Sequence, residues 1–118
     1  MRLTSSFWVS AYLRRCAQHN IFGVVERKGA VEAGAVFIKV SLLDGTGLLF
    51  APAPQSFFDE GPTQRKWVAV SKTGPLTDAD IDVRIAREVK FDPDLWLVTI
   101  EDRDGRHMLE DELIAADG

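Results

Sequence analysis

The chain has 118 residues, is 46% hydrophobic and 27% charged, and carries a net charge of −4. That length holds a single domain of ordinary size, residues 1–118, and the composition is too apolar for a disordered chain. One cysteine, Cys16, excludes an intramolecular disulfide and fits a reducing compartment. Arg14-Arg15 interrupt the opening apolar run too early for a signal peptide or a membrane span, so a cytoplasmic protein with no membrane partner is expected.

Ser5 to His19 reads as an amphipathic helix, with Ser5 or Ser6 as the cap and Val9, Tyr12, Leu13 and Cys16 recurring on one face. Asn20 is a suitable stop. Ile21 to Glu26 and the nearly continuous apolar run Ala35 to Leu43 are strand-like. Asp44-Gly45 then separates that run from Leu48-Leu49-Phe50, the pattern of a hairpin whose turn needs a positive φ. Pro52, Pro54, Gly61 and Pro62 break the pattern through residue 64, and strand character resumes from Lys66 to Ser71.

A second helix starts at Thr77, with Asp78 and Asp80 in its first turn and Ile81, Ile85, Ala86 and Val89 as its apolar stripe. Asp80-Arg84 and Arg84-Glu88 are four-apart ion pairs on its wet face. Asp92-Pro93 ends it. Leu95 to Glu101 reads as a buried strand, Asp104-Gly105 as a turn, and Met108 to Ala116 as a short acidic helix. The resulting fold class is α+β. Its mainly antiparallel sheet has about five strands with helices against one face, and it is joined by an N-terminal helix, a second helix before the last strand, and a short C-terminal helix.

Charge is unevenly distributed. Through residue 75, nine Lys/Arg stand against five Asp/Glu, a net +4; from residue 76, five stand against thirteen, a net −8. The plainest consequence is attraction between the two halves, within one fold or across a dimer. The basic residues Arg14, Arg15, Arg27, Lys28, Arg65 and Lys66 are the candidate site for an anionic small molecule or RNA, although the negative total disfavours nucleic acid unless they cluster.

Candidate chemistry is sparse. Cys16 and His19 are spaced to meet on a helix, but Cys16 falls on the apolar stripe, where a free thiol behaves as a small hydrophobe. Asp102, Asp104 and Asp111 around Gly105 miss a calcium loop at its first and twelfth positions and follow a strand, so an acidic surface turn is expected and no metal site. Gly45-Thr46-Gly47 lacks the lysine and hydroxyl of a phosphate loop. No cofactor and no catalytic residue are assigned, and an enzyme is the least favoured reading.

One loop differs in kind. Pro52 and Pro54 stiffen the chain as it leaves a strand, Gln55 follows, and Phe57 and Phe58 stand in a polar setting with Trp67 soon after. Rigidly presented aromatics serve as interface anchors. Pro52, Pro54, Gln55, Phe57, Phe58 and Trp67 are therefore the expected partner- or ligand-binding site. The aromatics fold back as a lid on the domain's own core or meet a second copy in a homodimer, in preference to an unidentified protein partner or a ligand.

Several blocks resemble a bacterial family of small stand-alone proteins catalogued as domain of unknown function 1491. They are the opening Met1-Arg2-Leu3-Thr4-Ser5 with Phe7-Trp8-Val9-Ser10-Ala11-Tyr12-Leu13-Arg14-Arg15-Cys16, Lys28-Gly29 with Glu32-Ala33-Gly34-Ala35, Phe37-Ile38-Lys39-Val40, and Asp44-Gly45. Pro52-Ala53-Pro54-Gln55, the most distinctive block, and Asp92-Pro93-Asp94-Leu95-Trp96 extend the match over nearly the whole chain. The resemblance implies a single bacterial cytoplasmic domain and carries over no catalytic residue.

Overall fold

A computed structural model describes residues 3–54 and 65–114. Helix α1 (Ser5–Gln18) is capped by Thr4, whose Oγ1 accepts the Phe7 N–H at 3.0 Å. Neither Ser5 nor Ser6 is the cap, because Ser5 is fully buried and donates its hydroxyl to the Gly34 carbonyl at 2.6 Å. Asn20, at φ 62°, takes the left-handed conformation that ends the helix.

The strands are β1 (Phe22–Arg27), β2 (Val36–Ser41), β3 (Thr46–Pro52), β4 (Trp67–Ala69), β5 (Leu76–Thr77) and β6 (Trp96–Glu101), with α2 (Asp78–Phe91) between the last two. Among the described residues they form one sheet in the order β1-β6-β2-β3-β4, with β5 beside β3. Every pairing is antiparallel except β2 with β6, so the fold is α+β with a mainly antiparallel sheet. The sixth strand is β5, whose two residues are too short for any periodic signal. In the β2–β3 hairpin Gly45 takes φ 88°, and Asp44 Oδ1 accepts from the Thr46 N–H at 3.0 Å.

The helices lie on opposite faces of the sheet, not on one. Trp8, Val9, Tyr12 and Cys16 of α1 pack on Val36, Ile38, Val40, Phe50, Val98 and Ile100. Ile81 and Ile85 of α2 pack on the alternate residues Phe37, Leu49, Leu95 and Leu97. The nearly continuous apolar runs of β2 and β6 follow from this, since a central strand covered on both faces has no polar side to alternate with.

Thr77 caps α2 as expected, accepting from the Asp80 N–H at 3.1 Å, and Arg84 pairs with Glu88 at 2.8 Å. Ala86, expected in the apolar stripe, is exposed. The C-terminal helix is a correction: among the described residues of that segment, which end at residue 114, the helical part is a 3-10 turn, Glu110–Glu112. Beyond it Leu113 bridges to Trp67 in parallel, and the Ile114 N–H donates to the Trp67 carbonyl at 2.9 Å. Pairing with β4 draws the chain into extended geometry, overriding the local preference for helix.

Candidate functional site

The expected contact loop leaves the sheet at Pro52, which ends β3 opposite Trp67. The Ala53 N–H still donates to the Lys66 carbonyl at 2.9 Å, and Pro54 is exposed. Gln55, Phe57 and Phe58 lie outside the described residues. Trp67 belongs to the core, 1% exposed, rather than to a surface patch. Its side chain points from β4 toward α1, where its ring lies 4.5 Å from that of Trp8 and its Nε1 donates to the Val36 carbonyl at 2.8 Å.

Four of the six basic candidates are drawn into internal contacts. Arg15 lies 3.8 Å from Glu112 and donates to the Met108 carbonyl at 2.9 Å. Lys66 donates to the Asp111 carbonyl at 3.3 Å, and Arg65 to Ser5 Oγ at 3.0 Å. Arg27 reaches the Pro93 carbonyl at 2.7 Å, while Arg14 and Lys28 are exposed. Arg15 and Lys66 thus tie the basic half of the chain to the acidic turn at 110–112. Burial nevertheless raises the Glu112 carboxyl above its ordinary range, with Arg15 opposing the shift.

Cys16 and His19 do not form a pair. Cys16 is fully buried, and burial raises its thiol, with Tyr12 opposing the shift; His19 is exposed at the helix end. Asp102 is committed to Arg106, with Oδ2 accepting from its backbone N–H at 2.7 Å and Oδ1 from its Nη2 at 3.0 Å. These bonds hold the Asp102 carboxyl below the usual carboxylate range. Among the described residues no three potential ligands are grouped to hold a metal, and no helix is long and apolar enough to cross a membrane. Clefts of about 170 Å³ beside Arg15 and Glu112 and about 180 Å³ beside Thr4 and Glu32 are smaller than ordinary ligand pockets.

The sheet's two edges are treated differently. β4 has Leu113 and Ile114 laid along it. β1 is bonded on one side only, to β6, and among the described residues nothing lies along its outer side. Yet Phe22, Val24 and Val25 of β1 are 61%, 39% and 40% exposed. An exposed apolar edge strand is a template for another strand. Sequence reasoning missed this site because Phe22-Gly23-Val24-Val25 reads like any core strand until the strand order is known. The one local signal is the Glu26-Arg27-Lys28 run with its bulge between Val25 and Arg27, the kind of device that limits pairing on an edge.

No curated protein matches the chain. A crystal structure of a DUF1491 family protein from Caulobacter crescentus CB15 is similar, at 37% identity and TM-score 0.76, covering 97% of this chain and 99% of that one. An NMR structure of a DUF1491 family protein from the same organism matches at 37% identity and TM-score 0.75, covering 97% and 98%. A protein of A. tumefaciens solved in solution is 41% identical, with TM-score 0.74 over 86% of this chain and 87% of its own. The family model whose description reads "protein of unknown function" covers residues 3–110, the whole of the sheet and both helices, and the chain belongs to that family, DUF1491.

Proposed function

We propose that the chain is a noncatalytic interaction protein of the cytoplasm whose contact element is the free edge of β1. The observation that carries this reading is the contrast between the edges: β4 is lined by the chain's own C-terminal segment, whereas β1 leaves Phe22, Val24 and Val25 to solvent. Backbone groups on such an edge give affinity, and the alternating side chains give selectivity. A buried free thiol suits a reducing compartment. The alternative of an anion or RNA binder draws little support from basic side chains already occupied by Glu112, Ser5 and backbone carbonyls.

The test is a photo-crosslinking residue placed at position 24 in cells holding the protein at its native level, with position 83 as the control. Val83 is the more open to solvent of the two, 67% against 39%, on α2. Adducts at 24 and none at 83 support the reading; no adduct at 24, or the same adducts at both, removes it.

A further inference from the structure

We infer that the partner at this edge is a second copy of the chain, its β1 lying antiparallel to the first across a twofold axis. The inference rests on the interaction reading of the same edge and adds the identity and direction of the partner. The charges at the two ends of β1 carry it. Phe22, at the N-terminal end, is paired with the exposed Glu101 of β6, which sets a carboxylate beside that end. The other end runs through Glu26, whose carboxylate accepts from Thr99, into Arg27 and Lys28, and so keeps a net positive charge. Antiparallel pairing sets each acidic end against the basic end of the other copy, twice, whereas parallel pairing sets like against like. The apolar middle, Val24 and Val25, then meets its own counterpart, as a twofold contact requires.

The surroundings of the strand permit this approach. Gly23 faces α1, since a Cβ there would lie 2.7 Å from the Leu13 side chain; Val24 points the other way, beside Thr99. On that second face α2 packs chiefly over β3 and β5, which leaves Phe22 and Val24 open. The bulge between Val25 and Arg27 interrupts regular pairing, which resumes with Arg27 opposite Leu97, so the uninterrupted stretch available to a second copy is short. A contact this small gives a reversible dimer, with a dissociation constant on the order of micromolar or weaker.

Sedimentation velocity from about 1 μM to about 1 mM reads the result directly. The wild type is expected to pass from monomer to dimer in this range, and Val24→Lys and Phe22→Lys to stay monomeric with unchanged melting. Lys28→Glu and Glu101→Lys are each expected to weaken the dimer about fivefold, and the double variant to regain the wild-type constant. A wild type that stays monomeric, a dimer indifferent to Val24→Lys, or a double variant no better than the singles would overturn the inference. The crosslink at position 24 separates the two claims. An adduct of any mass other than two chains removes the second copy and leaves the interaction reading in place, whereas no adduct removes both.

Discussion

Trp67 Nε1 donates to the Val36 carbonyl at 2.8 Å, so a side chain from β4 is tied to the first residue of β2 although β3 lies between the two strands. The indole also fills the space against Trp8, whose ring in turn stacks on Tyr12 at 4.9 Å. Trp67→Phe keeps most of the apolar volume and removes the donor, and is expected to cost about 2 kcal/mol in urea unfolding. Trp67→Ala also opens a cavity and is expected to cost about 4 kcal/mol. A negligible cost for Trp67→Phe would show that the hydrogen bond contributes nothing.

Gly29 and Gly45 should respond very differently to the same methyl group. A Cβ on Gly29 would stand 2.1 Å from the Asp94 carbonyl oxygen and 2.6 Å from the Leu95 carbonyl carbon, both backbone atoms that cannot swing aside. That strand entry is also fixed by the Ala30 N–H donating to Asp94 O at 2.9 Å and by Trp96 Nε1 donating to Ala30 O at 2.8 Å. Gly29→Ala is expected to cost about 3 kcal/mol, read as a fall in the urea midpoint. Gly45→Ala meets open space and incurs only its positive φ, about 1 kcal/mol. A reversal of this order would contradict the clasp between residues 29–34 and 92–96.

Much of this architecture was legible in the residues, where a local cause acts alone. Asp44-Gly45 makes its hairpin and Thr77 its cap because turn and cap chemistry is settled within four residues. What was not legible depends on distant pairing. The acidic run at 110–112 favours helix by itself, but Leu113 and Ile114 are claimed by Trp67. Ser5 looked like a cap and is a core donor because Gly34 lies beneath it. Trp67 looked like part of a surface patch and is buried because β4 turns that position toward α1. The edge position of β1 follows from β6 returning between β1 and β2, which no residue of β1 records.

Asp102 and Glu112 make opposite contributions to stability as pH changes. Hydrogen bonds from Arg106 lower Asp102, so the stability it contributes is present above its unfolded value, about 3.9, and is lost as pH falls through its lower folded value. Burial raises Glu112, so its favourable form is the protonated one; that contribution is present below its unfolded value, about 4.3, and is lost as pH rises through the higher folded value. Asp102→Asn is therefore expected to lower the melting temperature most at pH 7 and progressively less in acid. Relative to wild type, Glu112→Gln is expected to fare better at pH 7 than at pH 4. Parallel melting curves across this range would contradict both assignments.

Cys16 provides a test of the buried core beneath α1 and of the thiol itself. It is fully buried, raised by that burial, and held against Tyr12, whose hydroxyl donates to the His107 carbonyl at 2.7 Å. A thiol so placed has little thiolate at pH 8 and no access for a reagent without local opening. Reaction with a chromogenic disulfide is expected to be at least about a hundredfold slower in the native protein than in urea. Tyr12→Phe removes the hydroxyl that joins α1 to the segment before the 3-10 turn, and is expected to speed native labelling without making it as fast as in urea. Rapid labelling of the native wild type would instead mark Cys16 as an accessible nucleophile and revive a chemical role for it.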